Sequence, residues 1–298
     1  MTASKKGIMS YLLLAFGISW AWGEVVLRSG VTMQSPLFQA AVLPGAFAPA
    51  MAAIITRKWI TREGFADAGL RPNLCFWPYY LVAWLLPIPV VAAIVILAVA
   101  LGVGIPDFTL QRAAQSLAGT ATIPPLPPAV LWLLVSFQCL LNSLVGTFIL
   151  RGEEFGWRGY LQVQLFAGRP LLAAVATGLI WGLWHHPINL RGYSFPDHPY
   201  LGLLVFPVGA VLLSIILGWL RVRTGSVWAR SLGHAAFNAI GGSLTLPLFA
   251  GGTSLLYMNP TGLLGWVPLA AVAAWIVLNG QLKRQPGTLA PDAVSLAT

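Results

Sequence analysis

Residues 128–150 read PAVLWLLVSFQCLLNSLVGTFIL, a run of 23 residues without one charged side chain. An α-helix rises 1.5 Å per residue, so about 20 apolar residues cross a hydrocarbon layer about 30 Å thick. Because lipid offers no hydrogen-bond partners, such a segment satisfies its backbone groups within one helix. The run lacks the alternation of polar and apolar residues that is typical of a barrel strand. It therefore predicts a transmembrane helix.

The same pattern recurs along the whole chain. Of its 298 residues, 57% are hydrophobic and 8% charged, and the mean hydropathy is +0.78. Soluble domains carry roughly a quarter charged residues. We expect an all-α, polytopic integral membrane protein with about eight transmembrane helices. Residues 1–284 would form one transmembrane domain, and 285–298, rich in Pro, Ala, Ser and Thr, would be a disordered tail. The predicted spans lie near 8–27, 37–56, 77–103, 128–150, 171–190, 201–220, 226–249 and 261–280.

The basic residues predict the orientation of these spans. The net charge of +9 could suggest a nucleic-acid partner, but the basic residues form short clusters between apolar runs instead of one patch, so we expect no nucleic acid. Assigning alternate loops to the cytoplasm collects 14 of the 17 basic residues, leaving out Arg28, Arg112 and Arg191. Basic residues favour the cytoplasmic side. This distribution predicts a multi-pass protein of the cell membrane with both termini cytoplasmic.

Three polar clusters interrupt the apolar pattern in the second half of the chain. Ionisable groups at membrane depth are costly and are therefore the first candidates for function. In each cluster, two side chains separated by four residues share one face of a helix. These pairs are Glu154 with Arg158, Trp181 with His185, and His234 with Asn238.

The turn between the first two clusters predicts that they meet. Residues 167–170, Ala-Gly-Arg-Pro, lie midway between Glu153 and His185. Antiparallel helices on either side of this turn would place those two side chains opposite each other. We expect a catalytic cavity between the fourth, fifth and seventh spans, with His234 contributed by the seventh.

Each cluster also has a purely structural explanation. A Glu–Arg pair beside a loop can be a solvated helix end, and His185 followed by His186 and Pro187 can end a helix at the interface. His234 and Asn238 are harder to explain in this way, because an imidazole and an amide inside an apolar span need partners. Nearby, Gly178 and Gly182 form a GxxxG pattern that favours close helix packing.

The order and spacing of the clusters resemble those of a known family. Glu-Glu-x-x-x-Arg at 153–158, an aromatic residue four before His185, and His-x-x-x-Asn at 234–238 are similar to the three-motif signature of the CPBP family of intramembrane proteases. That family includes the type II CAAX prenyl endopeptidases and bacteriocin-processing or immunity-associated proteins. The resemblance covers roughly residues 130–240, and the first three spans carry no signature.

This resemblance implies a catalytic set of Glu153, Glu154, Arg158, His185, His234 and Asn238. It implies that Glu153 acts with His185 to activate a water, that His234 and Asn238 stabilise the oxyanion, and that Arg158 holds Glu154. The family's description as metalloproteases implies a divalent metal, zinc, on Glu153, His185 and His234. The sequence has no HExxH motif, so direct activation of the water by Glu153 and His185 stays open.

The resemblance also implies the substrate and the partners. We expect an intramembrane endopeptidase that cleaves a hydrophobic or lipid-modified protein or peptide and contacts membrane lipids. The main alternative is a non-enzymatic membrane chaperone or bacteriocin-immunity partner that retains the protease fold. A secondary transporter is a further alternative, although the chain shows no corresponding interrupted helices in two halves.

Overall fold

The computed structural model describes residues 5–33, 35, 37–111, 114–115, 126–251 and 253–283. Its main helical segments, numbered here along the chain, coincide with the eight predicted spans. They are α1 Lys5–Arg28, α2 Phe38–Thr61, α3 Leu74–Ala100, α4 Pro128–Gln164, α5 Pro170–Trp184, α6 Pro199–Thr224, α7 (Val227–Ala236, Phe237–Gly241 and Gly242–Leu244) and α8 Leu255–Leu278. The predicted tail at 285–298 lies outside the described residues.

Six of these segments are long and apolar enough to cross a membrane by themselves, namely α1, α2, α3, α4, α6 and α8. The all-α integral membrane class is therefore confirmed, whereas six spans and not eight meet the criteria of length and hydropathy. Helix α5 has 15 residues because it ends at Trp184, after which His185 and Pro187 begin the short helix His186–Asn189. Helix α7 carries Arg230 and His234, which lower its hydropathy. That α5 and α7 cross the bilayer stays a prediction.

Helix α4 shows how the chain arranges polar and apolar side chains. Leu133, Phe137 and Phe148 are exposed, whereas Ser143 and Thr147 are buried. Both buried hydroxyls donate to the carbonyl oxygen four residues earlier, at 2.7 Å, so they need no other partner. Apolar side chains thus lie on the outside of this helix and polar ones on the inside, which is the arrangement expected of a helix that has lipid on its outer face.

Helix α5 packs closely against α6 through the predicted GxxxG glycines. A Cβ at Gly178 would lie 2.7 Å from the Cα of Val211, and one at Gly182 would lie 2.7 Å from the Cα of Pro207. The side of α4 packs against α7, where a Cβ at Gly146 would lie 3.2 Å from the Cβ of Ala235. The small residues thus bring together the helices that carry the three polar clusters.

Candidate active site

The first polar cluster lies where α4 changes from α-helix to a π-helical turn. Glu153 and Glu154 belong to the α-helical part, and the π-helical turn spans Trp157–Leu161. Gly156 precedes this turn and touches α2, since a Cβ there would overlap the Cβ of Pro49. The cluster therefore sits inside the protein, against α2, and not on a solvated helix end.

Glu154 is the centre of a buried charge network. Arg158 NH1 donates to Glu154 Oε1 at 2.7 Å, and both side chains are fully buried. The pair expected from the i,i+4 spacing is therefore present. His234 Nδ1, from α7, lies 3.0 Å from the same carboxylate oxygen. Because a carboxylate accepts, His234 donates from Nδ1 and Glu154 links the first cluster to the third.

Glu153 points to the second cluster. Its Oε2 accepts a hydrogen bond from the indole Nε1 of Trp181 at 3.1 Å. The Trp181 ring also lies 5.5 Å from the His185 ring and 5.0 Å from the His234 ring, centroid to centroid. The guanidinium carbon of Arg158 lies 4.4 Å from its centroid. Trp181 is thus the group around which the three clusters meet.

His185 lies at the C-terminal end of α5, where its half-buried ring packs against Trp184 and Phe206, both at 4.8 Å. Its Nδ1 lies 2.8 Å from the Trp181 carbonyl oxygen. A carbonyl oxygen only accepts, so Nδ1 carries the proton and Nε2 of the neutral ring remains an acceptor. In both His185 and His234, therefore, Nδ1 is engaged and Nε2 is the nitrogen left for chemistry.

The structure does not bring Asn238 into this buried cluster. Its side chain is exposed, whereas His234 is 3% exposed. Asn238 lies in a second π-helical turn, Phe237–Gly241, and a turn with i,i+5 geometry changes which residues share a face. The common face expected from i,i+4 spacing is therefore not formed here, and the role of Asn238 in stabilising the oxyanion stays a prediction.

The residues predicted to hold a metal do not form a metal site as they stand. Within the described ranges, no group of three His, Cys, Asp or Glu side chains is arranged to hold an ion. One oxygen of Glu153 is already engaged by Trp181. The engaged Nδ1 atoms of His185 and His234 are nevertheless typical of metal-binding histidines. The zinc site therefore stays a prediction.

Two cavities lie near or beside these helices. One of about 40 Å³ separates α1 from the segment at Trp184–Ile188, next to His185. Another, of about 580 Å³, is apolar, is lined by α3, α6 and α8, and contains none of the predicted site residues. Neither of these two cavities is lined by a predicted site residue.

The part of the chain that carries the three clusters matches the model of a known protein family. Residues 127–240 match the family model described as type II CAAX prenyl endopeptidase Rce1-like. The chain carries an Rce1-like domain. This domain begins with α4 and ends within α7, so it contains all three clusters, and the family to which it belongs is one of peptidases. No curated protein matches the chain.

The Rce1-like domain also contains a buried charge that sequence reasoning missed. Arg230 is fully buried, and its NH1 donates to the carbonyl oxygen of Arg158 at 3.3 Å. It had been counted as a basic residue of a cytoplasmic loop. The signal that could have revealed it is its position four residues before His234, on the same face of α7.

Arg57, from α2 and outside the Rce1-like domain, was missed in the same way. It is 1% exposed, pairs with Asp67 at 2.8 Å and donates from NH2 to the Gly159 carbonyl oxygen at 3.3 Å. Its guanidinium group also lies over the aromatic rings of Phe65 and Tyr160. Arg57 therefore connects α2 to the π-helical turn that carries Arg158.

Proposed function

We propose that this protein is an intramembrane endopeptidase that hydrolyses a peptide bond of a membrane-associated or lipid-modified protein. Membership of the Rce1-like family supports peptide hydrolysis in general. The observation that carries the more specific proposal is the meeting of Glu153, His185 and His234 around Trp181, from three different helices. Among the described residues, hydrogen bonds engage one oxygen of Glu153 and the Nδ1 of each histidine, which leaves one atom of each group for a substrate or a water.

Peptide hydrolysis needs a base for the water, a donor for the oxyanion and a proton for the leaving amine. In the proposed mechanism Glu153 takes a proton from the water through the oxygen that Trp181 does not engage. The second O–H of this water donates to the Nε2 of His185, and this hydrogen bond orients the water. Once protonated, Glu153 returns its proton to the leaving amine.

His234 is the proposed electrophilic group. Its Nδ1–H is held by Glu154 at 3.0 Å, and in the proposed mechanism the ring acts in its imidazolium form. An imidazolium also carries a proton on Nε2, which can donate to the oxyanion. Arg158 compensates the remaining charge of Glu154, so that the two residues act as a fixed support for His234.

The proposal is tested on the full-length protein, purified in detergent and then reconstituted. The substrate is a fluorescent peptide with a lipid on a cysteine near its C-terminus, and the unlipidated peptide serves as its comparison. We expect cleavage of the lipidated peptide, with Glu153→Gln lowering the rate by at least about 10²-fold, as is typical for the loss of a general base.

Glu63→Gln is the matched control, because Glu63 is half-buried, outside the cluster, and accepts from Gln164 Nε2 at 3.3 Å. This variant should cleave like the unaltered protein. Normal cleavage by a folded Glu153→Gln variant would remove Glu153 from the mechanism. Absence of cleavage by the unaltered protein, with both peptides bound, would favour the non-enzymatic alternative instead.

A further inference from the structure

Tyr11 is a first-span residue that lies outside the Rce1-like domain but reaches its centre. It is fully buried on the face of α1 that also buries Gly7 and Ala15. Its ring lies 4.9 Å from that of Tyr160 and 5.8 Å from that of Trp157, both in the π-helical turn of α4. The first span thus packs directly on the backbone turn that carries Arg158.

The Tyr11 hydroxyl is buried without a hydrogen-bond partner from the described protein atoms. It lies within electrostatic range of Arg158, Glu153 and Glu154. In the same region Nε and NH2 of Arg158 and Oε2 of Glu154 are also buried without such partners. Buried polar groups nearly always have a partner, and a buried water typically makes about three hydrogen bonds to groups of this kind.

We propose that Tyr11 is a positioning residue of the active site, acting through one bound water on the Glu154–Arg158 pair and thereby on His234. One water can link three of these groups: Arg158 donates to it from Nε or Nη2, the Tyr11 hydroxyl also donates to it, and the water donates to Glu154 Oε2. Glu154 Oε1 is then left to Arg158 NH1 and His234 Nδ1. This inference rests on the proposed function.

A purely structural role for Tyr11 predicts a different outcome. If its ring only fills space, the hydroxyl is a buried polar group without a partner, which is destabilising. The substitution Tyr11→Phe, which keeps the ring and its contacts with Trp157 and Tyr160, would then raise the unfolding temperature and leave cleavage unchanged. If the hydroxyl belongs to the network, the same substitution lowers kcat instead.

The experiment compares Tyr11→Phe with Tyr79→Phe, a matched control whose ring packs on Trp219 in a different part of the protein. We expect Tyr11→Phe to lower kcat roughly tenfold with KM unchanged, the effect of losing one ordinary hydrogen bond. We also expect it to shift the ¹⁵N NMR signal of His234, which is assigned from its loss in His234→Gln. The control should change neither quantity.

A more stable Tyr11→Phe variant with unchanged kcat and an unshifted His234 signal would overturn the proposal. A variant that fails to fold would also count against it, because the hydroxyl would then support the fold as a whole instead of positioning His234. The histidine signal is measured without substrate. Failure of the unaltered protein to cleave would therefore count against the proposed function, while the link between Tyr11 and His234 is still decided by NMR.

Discussion

Replacing Glu154 by Gln should affect stability and catalysis together, because this carboxylate has two partners. Arg158 donates to it at 2.7 Å and His234 at 3.0 Å, and Glu154 and Arg158 are fully buried. Glutamine keeps the shape but removes the charge that compensates Arg158. It also removes the charged acceptor that holds the Nδ1–H of His234.

The size of the effect follows from the burial of the pair. Removing one partner of a buried ion pair typically costs about 3–5 kcal/mol, because the other charge is left uncompensated. Because the amide oxygen of Gln can still accept one hydrogen bond, we expect the free energy of unfolding to fall by about 3 kcal/mol. In a protein of this size that corresponds to a decrease of roughly 6 °C or more in the unfolding temperature.

Thermal unfolding in detergent and peptide cleavage, measured on the same samples, separate the two glutamates. Glu154→Gln should lose both stability and activity, and Arg158→Ala should resemble it. Glu153→Gln should keep its stability and lose activity, since the hydrogen bond that Glu153 accepts among the described residues comes from the neutral indole of Trp181. A fully stable but inactive Glu154→Gln variant would refute this reasoning and show that the roles of the two glutamates are exchanged.

Three other predictions concern orientation, packing and metal. Reporters fused after Lys58 and after Arg223 should be cytoplasmic and one within 108–120 external; a cytoplasmic reporter at 108–120 would invert the orientation. Gly178→Ala should lower the free energy of unfolding by about 1–3 kcal/mol, because its Cβ would lie 2.7 Å from backbone of α6; an unchanged unfolding curve would contradict this close packing. If the active site holds zinc, elemental analysis should find about one equivalent per chain and chelation should abolish cleavage; full activity of metal-free protein would leave direct activation by Glu153 and His185.

Local helix geometry explains what the sequence could predict. The Glu154–Arg158 pair follows from a spacing of four residues within the α-helix, and the structure contains it. The close packing of α5 also follows from Gly178 and Gly182, since neither leaves room for a side chain against α6. Both features depend only on residues near each other in the chain or on one small-residue pattern.

The π-helical turns explain part of what the sequence could not predict. They lie at Trp157–Leu161 and Phe237–Gly241, so that one begins three residues after Glu154 and the other three residues after His234. A π-helical turn has no distinct hydrophobic pattern, and it rotates the residues that follow it. Asn238 lies within the second turn and is exposed. The i,i+4 spacing pairs Trp181 with His185 and gives no sign that its indole donates to Glu153.

Buried arginines limit the use of charge counts in this protein. The positive-inside rule treats each basic residue as the mark of a loop, but Arg57, Arg158 and Arg230 are buried and bind backbone or carboxylate oxygens. A buried guanidinium needs partners inside the protein, so these three residues report on internal structure and not on orientation. The orientation prediction therefore depends on the other basic residues of the same loops, which still outnumber those on the opposite side.

The three arginines converge on the π-helical turn of α4, since Arg57 and Arg230 donate to carbonyl oxygens at Gly159 and Arg158. In a chain with 8% charged residues, a basic residue four positions from Glu154 or His234 is thus better explained as part of the site than as a topology signal.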